Sequence, residues 1–129
     1  MNDFIKKIKL MPNFISGNGV ENFQIVEAEN LLGLKFSNEY KHYLLSMGVA
    51  STDGHEFTGI TPIERLHVVN VTLEERKNNP KASPNMYVIE QANIDGIVIW
   101  QSENGEIYQT MPNAEPIMLC DSLSEYIDI

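Results

Sequence analysis

The histidines of this sequence are candidate metal ligands. The three histidines are His42, His55 and His67, and a zinc site needs three or four converging ligands. His55 adjoins Glu56 in a predicted strand, where neighbouring side chains point to opposite faces. The spacing of these histidines does not bring several ligands together. We therefore expect no metal site and interpret the histidines as ordinary surface or core residues.

The single cysteine, Cys120, is a candidate nucleophile. It follows the apolar run 117–119, which predicts a small buried side chain. The neighbouring Asp121 disfavours the thiolate form. One thiol forms no intramolecular disulfide, which favours a reducing compartment. We expect no catalytic role for this residue.

Paired carboxylates and a glycine pair are the other chemically suggestive features. Glu27/Glu29 and Glu74/Glu75 have no spacing that implies a shared proton, and such pairs on helices usually face solvent. Gly17-Asn18-Gly19 lacks the flanking strand and helix of a phosphate loop. We predict no cofactor and no enzyme. An active site or small-ligand site assembled only in space stays open, and a deep pocket with converging polar groups would favour it.

Charge is distributed unevenly along the chain. The net charge is −9; residues 82–129 hold eight acidic side chains and no lysine, arginine or histidine. Such a surface repels nucleic acid, which binds through cations, and speeds encounter with a basic protein. The alternative, that the acidic surface only maintains solubility, stays open.

Targeting segments are not evident in the sequence. The lysines near the start are followed by Pro12 and Asn13 instead of an apolar block. No run approaches the ~18 apolar residues of a membrane span. We predict a cytoplasmic protein that contacts no membrane.

The first half of the chain has helical periodicity. Helices are predicted over residues 2–11, 23–32 and from Ser37, whose hydroxyl can cap the third helix. Gly33 and Gly48 are expected to end the second and third helices. The third helix places four apolar side chains on one face: Tyr40, Tyr43, Leu44 and Met47.

The second half changes to strand patterns. Strands are predicted at residues 55–60, 66–71, 86–91, 97–101, 106–111 and 116–119, with helices over 73–79 and after Ser122. Asp95-Gly96 is a turn signal, and Asn104-Gly105 predicts a type I′ hairpin turn. The order favours one α+β domain over residues 1–129, with N-terminal helices packed on a mostly antiparallel meander and a short C-terminal helix.

Among the aromatic residues in these predicted strands, Trp100 and Tyr108 have two interpretations each. Trp100 is favoured as a core residue over an interface anchor, because large aromatics dominate core burial. Tyr108 shares a face with Glu106, and its anchoring and structural interpretations stay equally open.

The run from residue 25 to residue 48 resembles the opening signature of the SUKH superfamily, the Smi/Knr-like proteins. The matching positions are Glu29, Leu32-Gly33, Tyr40, Leu44 and Gly48. Later segments also resemble bacterial members, so the likeness covers about residues 23–129. One departure is Phe36-Ser37, where the family has a Leu-Pro step; serine can still cap the helix.

The resemblance implies a function by binding. Bacterial members are typically immunity proteins that neutralise toxin domains, often nucleases, of polymorphic toxin systems. Fungal relatives are regulators of cell-wall synthesis without known chemistry, so a regulatory interaction module is the alternative. The family has no catalytic residue set to carry over. The oligomeric state stays open.

The acidic last third and the resemblance together predict a binding surface. A surface of carboxylates and aromatics complements the basic cleft of a nuclease domain. The residues predicted to bind the toxin are Glu90, Asp95, Glu103, Glu106, Tyr108 and Asp128.

Overall fold

A computed structural model describes residues 3–129 of the chain. The helices are α1 (Asp3–Lys9), α2 (Asn22–Leu32), α3 (Asn38–Met47), α4 (Val68–Asn78) and α5 (Leu123–Tyr126). The strands are β1 (Ile15–Ser16), β2 (Ala50–Thr52), β3 (His55–Glu56), β4 (Met86–Gln91), β5 (Val98–Ser102), β6 (Ile107–Thr110) and β7 (Ile117–Cys120).

The strands form two antiparallel sheets. One has the order β1-β2-β3, and the other is a meander with the order β4-β5-β6-β7. A bridge between Phe57 and Glu90 connects them. Helices mostly precede the meander and a short helix follows it, which confirms the α+β prediction.

The larger core lies between one face of the meander and the helices. Its centre is a group of edge-to-face and tilted rings with centroids 4.8–5.4 Å apart: Phe36, Tyr40, Tyr43 and Tyr87. Such pairs contribute about 0.5–1.5 kcal/mol each beyond the burial of their area. The predicted apolar face of α3 is therefore the face that anchors this helix to the sheet.

A smaller core covers the opposite face of the meander. Trp100 is fully buried there among Met86, Val88 and Val98 of the sheet and Val71 of α4. Its indole N–H donates to Thr110 Oγ1 at 2.8 Å. The core interpretation of Trp100 is confirmed.

The predicted ends of α2 and α3 are confirmed. Gly33 has a φ of 71° and its N–H donates to Glu29 O. The Ser37 hydroxyl accepts from the N–H of Tyr40 at 3.1 Å, and the chain leaves α3 at Gly48 with a φ of 72°. A serine cap and left-handed glycines thus define both boundaries.

The strand predicted over 66–71 is wrong, because α4 begins at Val68. A run of β-branched residues favours a strand by propensity, but here packing outweighs propensity, since both Val68 and Val71 are buried on the helix. Thr72 is buried inside α4, and its hydroxyl accepts from the N–H of Val88 at 3.0 Å. His67 is the N-cap residue.

The strand predicted over 55–60 is shorter than expected, because β3 ends at Glu56. The hairpin at Asn104-Gly105 exists, but the type I′ assignment is wrong, since only Gly105 has a positive φ. The turn that has the type I′ signature is Asp95-Gly96, with φ values of 53° and 70° and a hydrogen bond from Ile97 N–H to Ile94 O.

Over residues 3–129, no helix is both long and apolar enough to cross a membrane.

Candidate functional site

Three of the six predicted partner-binding residues lie together at the β5–β6 hairpin. The Tyr108 hydroxyl donates to Glu106 Oε1 at 3.1 Å, and the Ser102 hydroxyl is 3.5 Å from the same oxygen. Glu103, Glu106 and Tyr108 are all partly exposed. The hairpin therefore presents carboxylates beside an aromatic ring, as the sequence predicts.

Glu103 also has a structural role. Its Oε2 accepts from the backbone N–H of Lys35 at 2.7 Å, which holds the hairpin against the connection between α2 and α3. A change at this position alters the position of the hairpin as well as its charge. Lys35 is exposed, so a basic residue borders this surface.

Glu90 is wrongly placed on the binding surface by the sequence prediction. It is 5% exposed, and its carboxylate accepts from Glu56 N–H at 3.1 Å and Tyr126 hydroxyl at 2.6 Å, and bonds His55 Nδ1 at 2.8 Å. A register shift in β4 between Val88 and Glu90 accompanies this inward position. The carboxylate is buried because α5 and β3 supply its hydrogen-bond partners.

The two remaining residues, Asp95 and Asp128, are not part of the hairpin. Asp95 precedes β5 and Glu103 follows it, so they lie at opposite ends of a five-residue strand, ~17 Å in length. Asp128 forms an ion pair with Lys7 of α1 at 2.5 Å. The predicted surface is thus divided, and only its hairpin part forms a cluster.

Two acidic residues that were not predicted as site residues join this cluster. Asp121 and Glu125 are exposed, and Glu125 Oε1 accepts from the Asp121 N–H at 2.8 Å. A Cβ placed on Gly105 would lie 3.6 Å from Asp121 O, which brings the hairpin and the start of α5 together. Both residues belong to the acidic last third of the sequence, but their place beside the hairpin depends on the pairing of β6 with β7. We call this cluster the acidic edge, defined by Glu103, Glu106, Tyr108, Asp121 and Glu125.

An exposed apolar strand lies next to the acidic edge. In β7, Ile117 is 61% exposed, Met118 45% and Leu119 37%. Met118 lies opposite Tyr108, and Cys120 lies opposite Ile107. Apolar side chains bordered by acidic groups are a frequent combination at protein interfaces, where an apolar centre has a polar rim.

The other cluster of titratable groups is the one around Glu90. A cleft of about 380 Å³ opens beside it, and its lining includes Thr52, His55, Glu90, Asn93 and Tyr126. The hydrogen bond with Glu90 raises the pKa of His55, and burial and then Glu90 raise the pKa of Tyr126 well above its usual value. The three groups bond one another, so they hold α5 against β3 and β4.

Metal binding and thiol chemistry were the other possibilities raised by the sequence. Residues 3–129 contain no group of three or more histidine, cysteine, aspartate or glutamate side chains arranged to hold a metal ion. Cys120 is partly buried, and burial raises the pKa of its thiol. At neutral pH the protonated thiol is a weak nucleophile.

Comparison with known proteins decides the family. The sequence model of the family SUKH_5, described as SMI1-KNR4 cell-wall, matches residues 1–115. The chain belongs to the SUKH family. No curated protein sequence matches it significantly.

The family positions named from the sequence have structural roles in this SUKH protein. Glu29 is buried, and its Oε2 accepts from the Phe36 N–H at 2.8 Å and lies 3.8 Å from Lys41 Nζ. The Tyr40 hydroxyl lies 2.8 Å from Thr58 Oγ1 inside the core. These positions therefore maintain the fold, whereas the side chains of the acidic edge and of β7 are partly or fully exposed.

Proposed function

We propose that this SUKH protein is a cytoplasmic immunity protein that binds a cognate toxin domain through the acidic edge and neutralises it. The observation that carries the proposal is the acidic cluster at the β5–β6 hairpin and the start of α5, next to exposed apolar side chains of β7. Family membership supports a role in protein binding. A basic cleft, such as that of a nuclease domain, complements the carboxylates.

In this proposal, the immunity protein inhibits the toxin domain by occupying its basic cleft. Carboxylates at the acidic edge take the place of phosphates, and Tyr108 supplies an aromatic contact where a base would stack. Opposite charge speeds the encounter of the two proteins, and desolvated contacts at the centre of the interface slow their separation.

Co-expression with the toxin domain encoded beside this gene tests the proposal. Survival of the host and co-purification of the two proteins are the expected results. The double variant Glu106→Lys/Asp121→Lys is expected to lose rescue and to weaken binding at least about tenfold, because each reversal replaces attraction with repulsion. The variant Glu27→Lys/Glu74→Lys makes the same change in net charge on exposed residues of α2 and α4 and serves as the matched control.

Equal loss in both double variants would show that total charge matters and the acidic edge does not. Failure of the unmodified, folded protein to rescue or bind an active toxin domain would contradict the immunity function. The description of the family as a cell-wall family favours a second candidate in that case, a regulatory interaction module without catalysis.

A further inference from the structure

The two outer edges of the meander differ in how their backbone groups are covered. At the β4 edge, Thr58 N–H donates to Ile89 O at 2.9 Å and the Thr58 hydroxyl donates to Val88 O at 2.8 Å. The N–H of Val88 donates to Thr72 Oγ1 of α4. This edge is therefore closed to another strand.

The opposite edge is formed by β7, and no strand within the described part of the chain pairs with its outer side. Natural proteins protect such edges with lysine, proline, bulges or covering segments. Here Pro116 stands just before the strand, and the register shift opposite Ile107/Tyr108 is a bulge at Leu119. The strand itself carries Ile117, Met118 and Leu119, exposed and apolar, without a charged residue.

The charges around β7 indicate what can cover it. Glu106, Asp121 and Glu125 lie at its C-terminal end, and Glu115, 3.9 Å from Lys81, lies before its start. A second copy of this chain would bring the same acidic groups to the edge, and like charges placed opposite each other are unfavourable. A basic segment of another protein has the complementary charge.

We propose that β7 is a docking strand to which an extended, basic segment of the partner adds as a fifth strand of the meander. This inference rests on the proposed function and gives it a binding mode. Main-chain hydrogen bonds along β7 provide affinity. Apolar side chains of the segment contact Met118 beside Tyr108, and its basic side chains face Glu106 and Asp121.

A synthetic peptide tests the edge without knowledge of the partner. The probe is the capped hexapeptide (Lys-Val)₃, which alternates basic and apolar side chains, and the control probe is (Glu-Val)₃. Each is titrated into the ¹⁵N-labelled full chain and followed by amide NMR shifts. Saturable shifts of residues 117–120 with the basic peptide, and none with the acidic peptide, are expected.

Two variants of exposed apolar residues sharpen the test. Met118→Lys is expected to weaken peptide binding about fivefold, because it removes the apolar contact with the segment and adds a positive charge near the lysines of the peptide. Leu31→Lys, on the exposed face of α2, is the matched control and is expected to bind as the unmodified chain does. Absence of shifts in β7, equal binding of both peptides or shifts confined to another surface would overturn the proposal. Concentration-dependent shifts of β7 without peptide would also overturn it, because the occupant would then be a second copy.

Hydrogen exchange of the toxin complex separates this inference from the proposed function. New protection of the amides of 117–120 is expected in the complex. A complex without such protection would contradict the docking-strand proposal and leave the immunity function in place. Peptide binding at β7 without any toxin complex would support the docking strand and contradict the immunity function.

Discussion

At the scale of single residues, Glu90 was predicted to lie on the binding surface but has a structural role in the interior. Its carboxylate is buried between three donors, from His55, the Glu56 backbone and Tyr126. A buried carboxylate is tolerated only when such hydrogen bonds compensate its desolvation. Glu90 therefore belongs to the interior that joins β3, β4 and α5.

The variant Glu90→Gln is expected to lower the free energy of unfolding by about 2 kcal/mol, because hydrogen bonds to a charged acceptor are lost and an amide donor faces the hydroxyl or N–H groups. Urea denaturation measures the loss. Glu74→Gln, exposed on α4, is the control and is expected to stay within about 0.5 kcal/mol of the unmodified chain. If the two variants were equally stable, Glu90 would have no structural role.

His55 and His67 are expected to titrate on opposite sides of the usual histidine value. The hydrogen bond with Glu90 raises the pKa of His55 above 6.5, whereas burial lowers the pKa of His67 below 6.5. Imidazole NMR signals followed from pH 5 to pH 9 measure both. The reverse order would contradict the contact between His55 and Glu90.

The same shift has a consequence for stability. Because the folded state binds the His55 proton more tightly, its contribution to stability is fully present below pH 6.5 and is lost as the pH rises through the folded-state pKa. The difference in unfolding free energy between the unmodified chain and His55→Asn is therefore expected to decrease over that rise. A difference that grows with pH would contradict this sign.

At the scale of elements, two glycines that end helices are expected to respond differently to substitution. Gly33 and Gly48 both have a positive φ, but a Cβ at Gly33 would meet no atom within 4 Å, whereas one at Gly48 would lie 2.4 Å from Asn18 O. Gly33→Ala is expected to cost about 1 kcal/mol from the left-handed backbone, and Gly48→Ala about 3 kcal/mol or more from backbone strain and collision together. Thermal or urea unfolding compares them, and equal losses would contradict the close approach of residue 18 to the end of α3.

At the scale of the whole molecule, the uneven charge is expected to control association more than dissociation. The association rate with the toxin domain is expected to fall about 10- to 100-fold between low salt and 0.5 M NaCl, because ions screen long-range attraction. Stopped-flow kinetics measures it. The Glu106→Lys/Asp121→Lys variant is expected to have a shallower salt dependence than the Glu27→Lys/Glu74→Lys control, and a salt-independent rate would contradict electrostatic steering.

Local signals in the sequence predicted much of this fold. Ser37, Gly33 and Gly48 act on backbone groups within a few residues, so the ends of α2 and α3 follow from residue type. The apolar period of α3 likewise determined which face of this helix is buried. The net charge and its concentration after residue 81 are properties of composition alone.

Contacts between distant segments determined the rest, because they depend on which elements pack together. The β-branched run at the start of α4 is helical since both of its sides are buried. The burial of Glu90 depends on donors 34 to 36 residues away in the chain. Pairing of β6 with β7 brings Asp121 and Glu125 beside the hairpin, and it leaves β7 as the uncovered edge. Composition indicated an acidic protein, and only the tertiary structure determined which carboxylates share a surface.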